Sequence, residues 1–554
     1  MGDSHSLRGR TLRAGLMPAT LAAIAALVFL PLGVVFFSGL GGLTSSPLST
    51  LSDVCSRPLY RDIFFFTVKQ AVASVAVTLA LGMPGAYLFS RYSFRGRDQL
   101  MALSTLPFVM PSVLVVLGFV ICFGNTGLLN SALSALFGIE GVPVRILYSW
   151  RAIVLAHAFY NVPLVYRFVS ASWSHIDEGM VEAARSVGAS GRRVFLDIEL
   201  PFLRHAVISS AMLTFLYSFT SFAIILALGG PQYATVEVTI YTLSSMAGSY
   251  AVSSALAIVQ LAFLSLVVLC YVRIPSPRGG RGNRAAIPFG SLQPVRRAVC
   301  YGYGAFMALF LFGPLLGIAY ASVRQTAGGV VSLTLRWFSE LVHPPAIGLL
   351  GTTPLGAVAT SVGIAILATA VSVGAGTALS YLMRSSRHAR PLLGVLTTAP
   401  LCVSTVTLAL GYLVLGRELS LDLSLAGLVI IHALISLPFS VRAVSGALAR
   451  LEGTLVEAAL GVGASRLRAF VDIDLPLIRG GLLVAAVFSF ALSLGELAAA
   501  SLLSGGRYVT IPLYIYRYIG AYRIGPAAAM GVVLMVVSAA GFLVIQRSGA
   551  LFRG

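Results

Sequence analysis

Apolar residues run along this chain in blocks too long for strands and too continuous for the one-sided helices of a soluble surface. They fall at roughly 16–40, 63–90, 100–122, 147–170, 205–228 and 251–272, then at 299–322, 356–383, 393–416, 425–445, 480–502 and 525–546. A helix crossing the hydrocarbon core needs about 20 apolar residues, and in lipid only helices or closed barrels satisfy every backbone polar group. The pattern predicts an all-α integral membrane protein of about twelve transmembrane helices, in two groups of six.

Composition supports this reading. The 554 residues are 57% hydrophobic and 10% charged, whereas soluble domains carry roughly a quarter of their residues as charges. The formal charge is +19, and its placement matters more than its sum. With the N-terminus inside, Arg91, Arg95 and Arg97, then Arg185, Arg192, Arg193 and Arg204, and then the later arginine clusters all fall on one side. About 27 of the 38 basic residues lie there or at inner helix ends. That bias is the positive-inside rule, so the charge calls for no nucleic acid and both termini are expected in the cytoplasm. Arg8, Arg10 and Arg13 precede the first block, which is longer than a signal-peptide core and lacks an A-x-A-like exit; it reads as an uncleaved helix. The basic, Gly/Pro-rich stretch 275–297 reads as a flexible cytoplasmic linker between halves at 1–274 and 298–554.

Several chemistries drop out. All basic residues are arginine except Lys69, which sits in FFFTVKQAV with no glycine nearby; a phosphate-binding G-x-x-x-x-G-K-[ST] loop is therefore impossible. Any ATP-driven work needs another polypeptide. Cys55, Cys122, Cys270, Cys300 and Cys402 lack C-x-x-C spacing and read as packing residues. No catalytic residue, cofactor or metal site is expected.

The chain repeats itself at an offset of 275 residues. EAARSVGASGRRVFLDIELPFLR from Glu182 matches EAALGVGASRLRAFVDIDLPLIR from Glu457 at fourteen of 23 positions. The same offset pairs His157 with His432, Pro163 with Pro438, Ser218 with Ser493, Thr235 with Thr510 and Tyr241 with Tyr516. Earlier it becomes 293, matching Arg91 to Arg384, Pro107 to Pro400 and Gly118 to Gly411. An even number of spans per half makes the repeats parallel in topology, with pseudo-two-fold symmetry about the membrane normal.

The repeated segment predicts a short helix over 180–187, a left-handed turn at Gly188, a second helix capped by Ser190, and a stop at Leu200-Pro201. Val181, Ala184 and Gly188 would give the first helix a small, smooth face able to lie in another protein's cleft. Glu182 alone is also explained as a charge offsetting a helix dipole.

Glu182, Ala183, Ala184, Gly188, Ile198, Leu200 and Pro201, repeated as Glu457, Ala458, Ala459, Gly463, Ile473, Leu475 and Pro476, resemble the EAA loop of ABC-importer permeases fed by extracytoplasmic binding proteins. The resemblance covers nearly the whole chain. It implies loops at 177–201 and 452–476 that dock into a separate ATP-binding subunit, which two near-identical loops suit as a homodimer. It further implies a small-molecule solute, an extracytoplasmic solute-binding protein, surrounding membrane lipid and a place in the bacterial cytoplasmic (inner) membrane. The segment SFTSFAIILALGGPQYATVEVTIY from Ser218 is similar to thiamine permeases and, in related form, to ferric-iron permeases. The second half departs from it, with Pro512 at the position of Glu237.

Charges inside hydrocarbon usually face protein or water. Glu496 lies well inside the eleventh block while its repeat mate is Ser221, so the pathway carries a negative charge on one side, suited to a cation. A bond to a neighbouring helix explains Glu496 equally. Ser218, Phe222 and Tyr241 are further pathway candidates, and Phe219, Phe222, Tyr233 and Tyr241 can stack on a planar cation or simply pack. His157 and His432 read as interhelical hydrogen bonders. An ion-coupled secondary transporter shares the two-half layout but would need more intramembrane acids and has no use for EAA loops.

Overall fold

The computed structural model describes residues 22, 24–40, 48–273, 286–327, 330–344, 351–385, 390–451 and 453–551. The start of the first expected helix, both chain ends, Glu452 and residues 274–285 of the expected linker lie outside the described residues.

The main helices of the first half are α1 (Ile24–Gly39), α2 (Pro58–Arg91), α3 (Ser112–Phe123), α4 (Trp150–Ser174), α5 (Glu178–Ser186), α6 (Leu200–Phe219), α7 (Ala223–Leu228), α8 (Val236–Ser245) and α9 (Tyr250–Val272). Those of the second are α10 (Pro294–Val323), α11 (Pro354–Ser385), α12 (Arg390–Cys402), α13 (Thr405–Glu418), α14 (Ser424–Leu448), α15 (Gly453–Gly461), α16 (Leu475–Leu494), α17 (Ala498–Leu503), α18 (Ile511–Gly520) and α19 (Ile524–Leu551). Among the described residues, ten helical stretches are long and apolar enough to cross a membrane, and α1 is a shorter apolar helix. The ninth apolar block is split into α12 and α13 around Val403 and Ser404. The third is likewise broken before α3, at Met110 and Pro111. Both breaks fall at equivalent repeat positions.

Each half is built around a three-helix core: α2, α4 and α6 in one, α11, α14 and α16 in the other. The remaining helices exchange partners. The entry helix α10 of the second half packs on α3 of the first, where a Cβ placed on Gly118 would lie 2.7 Å from the Pro314 ring. The entry helix α1 of the first half packs on α13 of the second, where a Cβ on Gly411 would lie 2.7 Å from the Pro31 carbonyl oxygen. The Tyr412 hydroxyl also donates to the Leu27 carbonyl at 2.8 Å. Helices α8 and α9 lean on α13, as α18 and α19 lean on α3. The pairings are those of a pseudo-two-fold assembly with exchanged entry helices.

Two expectations change. The described end of the linker is folded: Ile287 and Pro288 pair in parallel with Tyr92 and Ser93, and the Phe289 ring meets those of Tyr92, Phe94 and Tyr301. Aromatic contacts hold it to the first half, and α10 starts at Pro294, inside the stretch read as linker. Pro201 does not stop its helix either. Residues Phe195–Glu199 form a π-turn that runs straight into α6, and Phe470–Asp474 does the same before α16. The wider turn removes the clash and the missing bond that a proline imposes on a regular helix.

Candidate functional site

The two repeated segments fold alike on the arginine-rich face. Asp177 Oδ1 accepts the Gly179 N–H at 3.0 Å and starts α5. Gly188 ends it at φ 86°, with the Ala189 N–H closing back to the Ala184 carbonyl at 3.0 Å. Gly463 repeats this at φ 90°, with Ala464 donating to Ala459 at 3.0 Å. Such a closure needs a left-handed residue, which glycine adopts at no steric cost. Ser190 and Ser465 then accept the N–H groups of Arg193 and Arg468.

The face of α5 expected to point outward points inward. Val181 is fully buried among Trp173, Ile176, Val194 and Leu203, and Ala184 packs beside it, because an apolar stripe at helical spacing seeks the protein's own core first. Glu182, Ala183 and Gly188 are exposed, as are Glu457, Ala458 and Gly463; Ala184 and Ala459 are half-buried. The outward surface carries large apolar side chains in matched pairs. Met180 and Leu455 are 54% and 51% exposed, Val187 and Val462 84% and 88%, and Leu196 and Val471 46% and 47%. Each pair is related by the 275-residue offset. Exposed apolar groups this large on a polar loop mark a surface that meets a partner.

A second feature sits between the halves. Helix α6 breaks at Thr220–Phe222 before α7, and α16 breaks at Gly495–Leu497 before α17. Broken helices inside a membrane are tolerated where they line a cavity, and here both breaks line one cavity of about 180 Å³. Its walls include Ser112, His157, Tyr160, Asn161, Tyr217, Thr220, Ser221, Phe222, Thr405 and Glu496, with no lysine or arginine among the described residues. Glu496 Oε1 accepts the N–H groups of Ala498 and Ala499 at 2.8 and 3.1 Å, so the carboxylate also caps the restart of the helix.

Of the four pathway candidates, Glu496 and Phe222 lie on this cavity. Ser218 is fully buried one turn away, its carbonyl accepting Gln70 Nε2 at 2.9 Å. Tyr241 stands behind the wall, edge-on to the Phe222 ring at 5.2 Å. Phe219 is packing, enclosed by Phe64, Phe215 and Phe263. His157 and His432 do bond between helices, to Ser74 at 3.0 Å and Ser493 at 2.7 Å.

Reasoning from charges alone passed over Asn161 and underweighted Glu237. Asn161 lies four residues after His157, hence on the same helix face, and that spacing was its available signal. Glu237 is buried where the halves meet, accepting from Gln260 Nε2 at 2.6 Å and from the Ser404 hydroxyl of the second half at 2.8 Å.

Comparison with known proteins agrees with the repeat. The family described as "Binding-protein-dependent transport system inner membrane component" matches twice, at residues 76–279 and 368–551. The thiamine transport system permease protein ThiP of Brucella abortus is 28% identical over 498 residues, covering 88% of this chain and 87% of that protein. ThiP of Escherichia coli is 26% identical over 502 residues, with 87% and 88% covered. The putative 2-aminoethylphosphonate transport system permease protein PhnU of Salmonella typhi is 29% identical over 261 residues, 47% of this chain and 90% of that protein. With the family's pattern present once in each half of a pseudo-two-fold helical membrane fold, the chain belongs to the binding-protein-dependent transport system inner membrane components, as a fused two-half ABC importer permease that carries out no catalysis itself.

Proposed function

We propose that the chain, with halves at 1–274 and 298–554, forms the translocation pathway of an ATP-driven importer for thiamine or its phosphates. The solute arrives on an extracytoplasmic binding protein. Power comes from a separate ATP-binding subunit, a homodimer, gripping the loops 177–201 and 452–476 on the cytoplasmic side, where both termini also lie. The observation that carries this reading is the matched trio of exposed apolar side chains on each loop, Met180, Val187 and Leu196 on the first and Leu455, Val462 and Val471 on the second. A symmetric engine needs two like handles. The glycine turns at Gly188 and Gly463 hold them in one shape, and Glu182 and Glu457 lie exposed beside them.

Nucleotide state can bias the permease only through contacts that differ between its conformations, and these loops are exposed in both halves. The pathway reading rests on the two helix breaks that meet at a cavity holding the Glu496 carboxylate and, among the described residues, lined by no lysine or arginine. That favours a positively charged solute, and the thiamine permeases among the relatives point to which one. The test is reconstitution of the purified permease with the ATPase and binding protein that co-purify from native membranes. ATP-dependent accumulation of thiamine is the expected result. Uptake driven by an ion gradient without the ATPase would overturn the importer reading.

A further inference from the structure

A groove separate from the axial cavity opens on the outer surface of the join between the halves. Its volume is about 750 Å³, several times the roughly 150 Å³ that holds one benzene. One wall is the end of α2 with the short helix Arg97–Ser104 of the first half; the other is α10 of the second. The halves are tied together beside it, where the Tyr303 hydroxyl donates to the Leu81 carbonyl at 2.7 Å and meets the Tyr166 hydroxyl at 2.9 Å. Gly85 is needed for that contact, since a Cβ on it would collide with the Tyr166 ring. Gly304 is not needed for packing. A Cβ on Gly304 would meet nothing within 4 Å, and together with the exposed Ala305 and Ala308 it leaves α10 without side-chain bulk along the groove.

The length and polarity of the groove are those of one lipid leaflet. On α10 the lining runs from Cys300 to Phe312, about 18 Å at 1.5 Å per residue, against roughly 15 Å for half of a hydrocarbon core. Val299, Phe306 and Leu309 on the same helix are more than half exposed, so α10 presents apolar surface to hydrocarbon. One end alone is charged. There the rings of Phe94, Phe289 and Tyr301 touch in series, with centroids 5.8 and 5.3 Å apart, as aromatic side chains do at headgroup depth. Arg95 follows Phe94, is exposed on the groove wall, and has no ion pair or hydrogen bond with Asp98 or any other described residue. Arg297, by contrast, is spent on the Gly290 and Leu292 carbonyls. Among the described residues no acid lines the groove. The chain's own residues 275–285 are chemically unsuited to fill it, because they carry Arg278, Arg281 and Arg284 and no acid. They repel Arg95 and add to the attraction for an anion.

We infer that this groove binds an anionic phospholipid of the leaflet on the arginine-rich side, its phosphate on the Arg95 guanidinium and an acyl chain along Gly304, Ala305 and Ala308. A guanidinium matches phosphate oxygens bidentately, and basic pockets between spanning helices at this depth take anionic headgroups. The walls come from both halves, so the bound lipid stabilises their join. The inference is independent of which solute is carried.

The probes are phosphatidylglycerol and phosphatidylcholine with identical acyl chains, added to full-length permease stripped of lipid in a neutral detergent. Native mass spectrometry is expected to show phosphatidylglycerol retained about tenfold over phosphatidylcholine, with a rise in unfolding temperature on phosphatidylglycerol alone. Arg95→Gln is expected to bring the preference within about twofold, and Arg95→Lys, which keeps the charge, to retain most of it. Gly304→Leu fills the groove while improving helix propensity, and is expected to lose the tightly held phosphatidylglycerol. Folding of each variant is checked by gel filtration. Equal retention of the two lipids by the wild type, an undiminished preference in Arg95→Gln, or undiminished retention in Gly304→Leu overturns the site. So does displacement of the lipid by millimolar inorganic phosphate, since a site for a soluble anion needs no groove. A photoreactive benzophenone residue in place of Leu100, on the groove wall, is expected to capture phospholipid when membranes are illuminated. Capture of residues 275–285 or of a second copy of the permease instead would assign the groove to that occupant and overturn the lipid site.

Discussion

Arg91 and Glu178 form a two-pronged ion pair, Nη1 to Oε2 at 2.7 Å and Nη2 to Oε1 at 2.9 Å, that fastens the end of α2 to the first residue of α5. The Arg91 side chain is nearly buried and that of Glu178 about a quarter exposed. Among the described residues the second loop shows no such clasp. Gly453 occupies the position of Glu178, and Arg384, the mate of Arg91, donates instead to the carbonyls of Leu448 and Leu451 at 3.3 and 3.4 Å. Among the described residues, two loops alike on their outward surface are therefore anchored differently at their base.

Removing the clasp should loosen the first loop specifically. A bidentate guanidinium–carboxylate pair with one buried member is stronger than a surface pair. Arg91→Ala is expected to cost about 2 kcal/mol locally and to raise amide hydrogen exchange across 178–201. Arg384→Ala should change exchange across 453–476 by much less. Equal effects in the two loops would show that the clasp does not set loop rigidity.

The turn glycines give a test of the handles themselves. Gly188 and Gly463 both sit at positive φ, with open space where a Cβ would lie. A side chain there strains the backbone by roughly 1–2 kcal/mol without colliding with the fold. Gly188→Asp combined with Gly463→Asp should therefore insert and fold, yet fail to retain the ATPase in detergent pull-downs. Recovery of wild-type amounts of ATPase would remove these loops from the coupling role.

Glu496→Gln separates charge from shape. The amide oxygen still accepts from Ala498 and Ala499, so α17 keeps its cap while the negative charge is lost. Import of a cation at low concentration is expected to fall roughly tenfold, the equivalent of about 1.4 kcal/mol, with ATPase retention unchanged. Import at the wild-type rate would make Glu496 a helix cap and nothing more.

What the sequence discloses about this fold, and what it hides, follows from the solvent. Apolar blocks mark the spans because hydrocarbon demands them, and the repeat marks the loops because fourteen of 23 residues recur. Lipid tails are as apolar as a protein interior, so hydropathy does not say which face of a span meets a neighbour. Phe219 and Phe222 look alike in the sequence; one is enclosed in an aromatic cluster and the other lines the cavity. Helical spacing alone places Val181 on an outward face, because it does not register the tertiary partners Trp173 and Leu203. Phe289 sits in a linker whose composition signals flexibility, yet rings contributed by distant residues hold it. Asn161 carries no charge to mark it in the sequence, although its buried amide oxygen has no partner among the described residues.

The exchange of entry helices makes one further prediction. Without a hydrophobic force between helices in lipid, close approach depends on small residues at the crossing. Gly411 accommodates Pro31 and Gly118 accommodates Pro314 with no room for a Cβ, whereas one at Gly374 would meet nothing within 4 Å. Gly411→Ala should force α1 from α13 at a cost of about 1–3 kcal/mol, the usual range for overpacking. It should appear as a lowered unfolding temperature of the purified permease, while Gly374→Ala leaves that temperature nearly unchanged. Because α1 belongs to one half and α13 to the other, the damage is to the join and not to either three-helix core. Protease nicking should then release the two halves from one another at temperatures where each remains helical. Loss of helicity simultaneous with separation would mean that the halves have no independent stability and that the exchanged helices belong to a single cooperative unit.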